Sequence, residues 1–317
     1  MAILSVSCVK DGLNEETVLL KRESSLKVTV KSSSPVEGSI PLDAFVFRQD
    51  SGVLDAYVHS VDTDMDIAVV SGEPLELDIV ANAPEHSLTG LYKLEQFHNA
   101  LAEFSDNDVG KFIMSSGNTS LILTQDTGMN VSLSRLASKV TLGSVRPSFV
   151  TPELAALGVS LDRAFLINVT GKCHYDLTPS AGGWRNCMEM DESLAGFERQ
   201  SYCQDFHKVV NSPALIETDV SFHCFPNPVD NGVDSSTNPG WCPRNTRLVL
   251  QMTVAGVKNY YSITMPAMEC NKEYIIREVE LKGYGTESPD LPLSRESVRF
   301  TVRVKQWEEK TIRTDVY

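Results

Sequence analysis

Ser297-Val298-Arg299-Phe300-Thr301-Val302-Arg303-Val304-Lys305-Gln306-Trp307 alternates apolar and polar residues without a break, and its reading decides the fold. Val298, Phe300, Val302 and Val304 share one face, while Arg299, Thr301, Arg303 and Lys305 share the other. That is the period-2 pattern of a β-strand with one face on a core. Burying the four apolar side chains is worth on the order of 6–12 kcal/mol, an upper bound because unfolded chains already hide some surface. A strand of this strength at a chain end either closes its own sandwich or is offered to a neighbour, and the pattern alone is compatible with both.

The same alternation recurs through the chain. Residues 25–31 form a first strand, with Leu26, Val28 and Val30 on its apolar face, and lead into a Ser/Pro/Glu/Gly linker at 32–38. Strands are expected at 41–48, 54–61, 66–70 and 75–82, then short ones at 111–114 and 120–124, separated by Gly, Asp and Pro turn chemistry. In the second half they are expected at 163–175, 220–225, 247–254, 260–265, 274–282 and 297–307. Such spacing is that of an all-β sandwich. Leu91, Leu94, Phe97, Leu101 and Phe104 recur at helical steps and predict one inserted helix. A second short helix starts at Thr151-Pro152 and stops at Gly158. With 317 residues the chain exceeds what one core usually serves. We therefore expect a lead at 1–24, a sandwich at 25–130, and a second sandwich at 131–317 interrupted by a cysteine-containing insertion at 176–245.

A formal charge of −14 disfavours nucleic acid and anionic lipid as partners. No apolar run reaches the ~18 residues of a membrane helix. Ala2 to Ser7 followed by Cys8 reads like the end of an apolar signal core at a bacterial lipoprotein cleavage site, with Cys8 as the lipidation site and part of the leader missing. The remaining cysteines, Cys173, Cys187, Cys203, Cys224, Cys242 and Cys270, all fall in the C-terminal half. An even number there suits disulfides in an oxidising compartment. Zinc ligation, with His174, His207 and His223 close to cysteines in sequence, and buried free thiols are the competing readings.

No motif for catalysis, phosphate binding or a cofactor is present: there is no G-x-S-x-G, H-E-x-x-H, P-loop or D-x-D-x-D-G loop. His59 and His98 read as solvated or hydrogen-bonded residues. Acidic neighbours such as Asp62/Asp64 and Glu308/Glu309 read as solvated faces. The chain is expected to be no enzyme and to carry neither cofactor nor metal. Asn118, Asn130 and Asn168 open N-x-S/T triplets that matter only in a eukaryotic product. Among the aromatics, Tyr260, Tyr261 and Trp307 sit in strand patterns and read as core. Trp184 and Trp241, in loops, are the candidates for contact with a glycan or protein ligand.

Several stretches taken together resemble the fimbrillin family, the type V pilus proteins of Bacteroides-like bacteria. They are Ser7-Cys8-Val9-Lys10-Asp11, Leu42-Asp43-Ala44-Phe45-Val46-Phe47, Ile79-Val80-Ala81-Asn82-Ala83-Pro84 and Leu133-Ser134-Arg135-Leu136-Ala137-Ser138-Lys139-Val140. Further on come Phe165-Leu166-Ile167-Asn168-Val169, Phe225-Pro226-Asn227-Pro228, Tyr260-Tyr261, Asn271-Lys272-Glu273-Tyr274 and Val279-Glu280-Leu281-Lys282-Gly283-Tyr284-Gly285. The resemblance implies two tandem transthyretin-like Greek-key sandwich domains and export as a lipoprotein precursor to the outer membrane. It also implies a structural role in a surface fimbrium, shaft or tip. Partners would be other pilus subunits, joined by strand addition after a protease removes the strand of Leu26, Val28 and Val30. The terminal strand, with Val298, Phe300, Val302 and Val304 and a tail alternating at Ile312 and Val316, is the candidate donor. One departure bears on this: family cleavage follows an arginine, whereas residues 32–40 contain neither Arg nor Lys, and Arg22 and Arg48 lie outside them. An anchor or accessory subunit, or a non-polymerising surface lipoprotein that binds a host glycan or protein, is the alternative reading.

Overall fold

The computed structural model describes residues 23–32 and 40–308, except 109, 157, 212 and 295. Cys8, the linker at 33–39, and Ile312 and Val316 of the tail lie outside the described residues.

The first half comprises β1 (Glu23–Ser32), β2 (Leu42–Arg48), β3 (Leu54–Ser60), β4 (Asp64–Val70), β5 (Pro74–Ala81), α1 (Leu94–His98), β6 (Leu101–Glu103), β7 (Met114–Ser115), β8 (Thr119–Ile122) and β9 (Thr127–Arg135). Two layers form, β4–β1–β9 and β3–β2–β5 with β8 on β5, linked through β7, which pairs with both β5 and β9. Residues that alternate inward from both layers share one core, including Leu26, Val28 and Val30 of β1, Ile67 of β4, Val46 of β2 and Leu77 of β5. Residue 130, expected at the end of this unit, lies inside β9, which stays paired to β1 as far as Leu133. The chain changes sheets at Leu136–Ala137.

The second half comprises β10 (Ser138–Pro147), α2 (Pro152–Ala155), β11 (Gly158–Ile167), β12 (Lys172–His174), α3 (Gly196–Tyr202), β13 (Cys203–Asn211), β14 (Ile216–Cys224), β15 (Arg247–Val254), β16 (Val257–Thr264), β17 (Lys272–Leu281), β18 (Val298–Arg299) and β19 (Val302–Gln306). One sheet runs β14–β10–β17, with β18 and β19 both on β17, and the other runs β13–β11–β15–β16. Leu142, Phe222 and Ile276 from the first share a core with Leu161, Leu250 and Ile263 from the second. The chain is thus all-β, as its alternation indicates. No helix among the described residues is long and apolar enough to cross a membrane.

Three expectations need correction. The helix predicted over 91–104 ends at His98, because Leu101–Glu103 leaves the helical path to pair with β12. Phe97 and Phe104 are still buried, but Leu101 is exposed. Among the described residues the second half holds two short helices rather than one, since the insertion expected at 176–245 contains α3 and β13. The terminal strand is broken at Phe300–Thr301. β18 pairs Val298 with Leu281 and β19 pairs Val302 with Ile276, so the register slips between them. Its apolar face is covered unevenly: Val298 is buried, Phe300 and Val302 are half-buried, and Val304, on the sheet edge, is 46% exposed.

The halves meet through the β6–β12 ladder and through aromatic packing. Phe104 stacks on Tyr202 and meets Phe225 edge-on, and Phe112 meets Trp307. Phe45, Phe47 and Phe97 pack together on the outer face of the first sandwich and belong to the core of the second.

Candidate strand-exchange groove and loop platform

β1 is the strand for which a site can be built from the residues upward. Its alternation puts Leu26, Val28 and Val30 on the core side at 0, 1 and 6% exposure, with Lys27, Thr29 and Lys31 outward. It runs antiparallel to β4, with Leu26 opposite Ile67 and Val28 opposite Met65. On its other side it runs parallel to β9, with Val30 opposite Val131. β1 is therefore an interior strand, although it comes first in the chain. Side chains reinforce both edges: Thr29 Oγ1 donates to Asp64 Oδ1 at 2.6 Å, Ser25 N donates to Asp126 Oδ1 at 3.0 Å, and Ser25 Oγ bonds Asp66. Taking β1 out would leave a slot with unpaired backbone on β4 and on β9 and bare the apolar floor beneath. The three apolar side chains contribute roughly 5–9 kcal/mol of burial, an upper bound. Unpaired strand edges of this kind are templates for pairing with another extended segment.

The two loop tryptophans, 57 residues apart in sequence, come together. The Trp184 and Trp241 rings lie 5.4 Å apart at 68°, edge to face, and the Arg244 guanidinium sits 5.4 Å from the Trp241 ring. Trp241 is 40% exposed, and Trp184 is half-buried. Their loops rest on a buried polar framework. Arg244 pairs with Asp290, both fully buried, and Asp290 also accepts from Ser235 Oγ at 2.6 Å and Asn168 Nδ2 at 3.1 Å. Arg247 Nη1 donates to the Asp290 carbonyl at 2.9 Å; burial pushes the Arg247 guanidinium below its usual range, against the pull of Asp290 and Asp234. On the Trp184 side, the Gly183 carbonyl lies 2.5 Å from where a Cβ on Gly171 would stand. Only glycine there lets the backbone at Gly183 lie against the bend just before β12.

The six described cysteines are free thiols, so the expected disulfides are absent from this structure. Cys173 on β12 and Cys270 ahead of β17 nevertheless place their sulfurs 3.8 Å apart. The hydrogen bond to Cys270 and burial push the Cys173 thiol well up. Cys224 is fully buried and pushed up to about 12 by that burial, the behaviour of an inert core thiol.

Sequence reasoning missed a cleft of about 830 Å³ walled by Phe45, Leu88 and Leu91 with Asp43, Tyr57 and His59 at one side. Asp43 Oδ1 accepts from Tyr57 OH at 2.6 Å and lies 2.9 Å from His59 Nδ1. Burial and the bond to Asp43 push the Tyr57 phenol up to about 12. The only sequence signal was Asp43 in an otherwise apolar strand.

No protein-family model and no curated protein matches the chain. Solved structures do. A candidate cell adhesion protein from Parabacteroides distasonis superposes with a TM-score of 0.63 at 17% identity, covering 90% of this chain and 97% of its own. A fimbrilin (FimA) from Porphyromonas gingivalis gives 0.62 at 13% identity, covering 90% and 98%. The tip fimbrial protein Mfa3 from the same species gives 0.53 at 13%, covering 90% and 100%. Over nearly its whole length the chain has the fold of these fimbrial and cell adhesion proteins, which is the likeness its sequence motifs indicate.

Proposed function

We propose that the chain is a structural subunit of a bacterial cell-surface fimbrium that assembles by strand exchange once β1 has been removed by proteolysis. The reading comprises two transthyretin-like Greek-key sandwich units and export as a precursor lipidated at Cys8 to the outer membrane. Its partners are other pilus subunits and a processing protease, and it has no catalytic role. The observation that carries it is the position of β1: interior, apolar on one face, hydrogen-bonded on both edges. A strand so placed is the one whose loss creates an acceptor groove. The fold shared with a fimbrilin supports the same reading.

The test is the N-terminal peptide and intact mass of the protein taken from the surface of its own cell. A start between residues 32 and 41, with polymers that survive mild denaturant, supports shaft assembly. A lipid-modified start at Cys8 with β1 retained refutes removal of β1 and leaves the anchor role. A second reading, a tip subunit that binds a glycan or protein, is favoured by the Trp184–Trp241 pair and the exposed face of Trp241. It requires saturable ligand binding that Trp241→Ala abolishes in a chain that still folds.

A further inference from the structure

β5 carries leucine and isoleucine toward the sandwich core and acids away from it. Leu75, Leu77 and Ile79 line the core of the first half. By alternation Glu76 and Asp78 lie on the opposite face, in register with Phe47 and Phe45 of β2. That face is covered rather than solvated. α1 lays Phe97 on Phe45 and Phe47 and brings His98 beside Glu76, with Nε2 2.9 Å from Glu76 Oε1. Glu76 is 5% exposed, Asp78 is 0% exposed, and the His98 side chain is 35% exposed.

The partners around these groups are unevenly shared. Glu76 has His98 on one oxygen and Gln49 Nε2 at 3.4 Å on the other. Neither oxygen of Asp78 has a hydrogen-bond partner. A buried carboxylate without a donor costs several kcal/mol unless a proton or a cation neutralises it. One ligand atom from each of Glu76, Asp78 and His98 lies within 4.8 Å of the other two. Bonds of the length Zn2+ makes to nitrogen and oxygen would bring such atoms to roughly 3.4 Å in a tetrahedral shell. Binding would therefore draw the Glu76 and His98 side chains inward toward Asp78.

We propose that Glu76, Asp78 and His98 bind one divalent transition-metal ion of the Zn2+ type between β5 and α1. The ion gives the Asp78 carboxylate the partner it lacks and offsets the charge of two buried carboxylates. Imidazole beside two carboxylates selects this class over Mg2+ and Ca2+, which take oxygen ligands. Three protein ligands leave a fourth position for water on the open side of His98. The ion would clamp the five-residue α1 onto the sheet at the aromatic junction between the two halves.

The probe is Co2+, because its spectrum separates this site from the cysteine thiols, which would add a sulfur-to-metal charge-transfer band. Co2+ is titrated into the chelator-treated full chain and into Asp78→Asn and His98→Ala, with melting curves recorded with and without Zn2+. The expected result is one ion per chain without a charge-transfer band, at least tenfold weaker binding in either variant, and a Zn2+-dependent rise in Tm lost in Asp78→Asn. That variant preserves side-chain volume and introduces no charge, so it keeps the fold. Equal binding by the native chain and Asp78→Asn, a charge-transfer band at the first equivalent, or no binding would overturn the site.

Discussion

The guanidinium of Arg135 lies 4.4 Å from the centre of the Trp307 indole, and its Nη1 donates to Asn271 Oδ1 at 3.3 Å and to the Trp307 carbonyl at 3.4 Å. Arg135 ends β9 and Trp307 follows β19, so one buried contact ties the last strand of the first sandwich to the terminal strand of the second. The indole also stacks on His223 and meets Phe112. Burial, with Lys139 and Arg135 close by, holds His223 down at about 4, so the ring is neutral where it stacks. Trp307→Ala would leave a large cavity and a buried cation without its aromatic cover. The expected loss is about 3–5 kcal/mol of unfolding free energy, read from denaturant titration. A loss under ~1 kcal/mol would show that the contact does not hold the halves together.

β1 should be indispensable to the isolated subunit. Val28→Asp places a charge at 1% exposure between β4 and β9, and the expected outcome is unfolding or a loss above ~3 kcal/mol. Lys27→Asp, on the outward face of the same strand, should change stability by less than ~1 kcal/mol. The contrast between the two, measured by thermal melting, separates burial from a general effect of charge.

Cys173 and Cys270 should form the first disulfide in an oxidising compartment. Their thiols give up two protons and two electrons to a disulfide oxidant, which leaves as two thiols. Peptide mapping without reductant should find this pair joined. Closing the 97-residue separation should raise stability by about 3–5 kcal/mol where the geometry is unstrained. A mature surface protein in which both residues react with an alkylating reagent would contradict it.

The contribution of Asp78 to the stability of the metal-free chain should fall as pH rises, against the opposite contribution of His223 between about pH 4 and 6.5. Burial first, then the charges of Glu76 and Asp176, push Asp78 up to about 8. The folded state therefore binds a proton more tightly than the unfolded state, and the stabilisation is complete below the ordinary carboxylate range. It is lost between about pH 4 and pH 8, at ~1.4 kcal/mol per pH unit at most. Glu76 on β5, His98 on α1 and Asp176 beyond β12 stand around the same group. Asp78→Asn should remove this falling contribution, so that stability rises more with pH than in the native chain in denaturant unfolding at several pH values, and an unchanged slope would contradict this assignment.

Much of the fold was legible in local periodicity. Alternation identified β1, β2, β5, β15 and β17 within a few residues, because a strand with one face on a core must repeat every second residue. It also identified Leu26, Val28 and Val30 as an inward face, and marked Trp184 and Trp241 as loop aromatics. Alternation carries no information on what lies across a strand. It could not show that β1 sits between two partners, that Leu101–Glu103 would leave a helix to pair with β12, or that the terminal strand would slip register at Phe300.

Glu76 and Asp78 mark the limit most clearly. In Leu75-Glu76-Leu77-Asp78-Ile79 the sequence by itself determined a two-faced strand with both acids on one face. Only the tertiary structure decided that α1 covers that side and encloses Asp78 without a donor. The physical reason is range. The two-residue repeat is set by neighbouring backbone geometry, whereas the cover over a face comes from segments tens of residues away, whose docking depends on the packing of the whole chain.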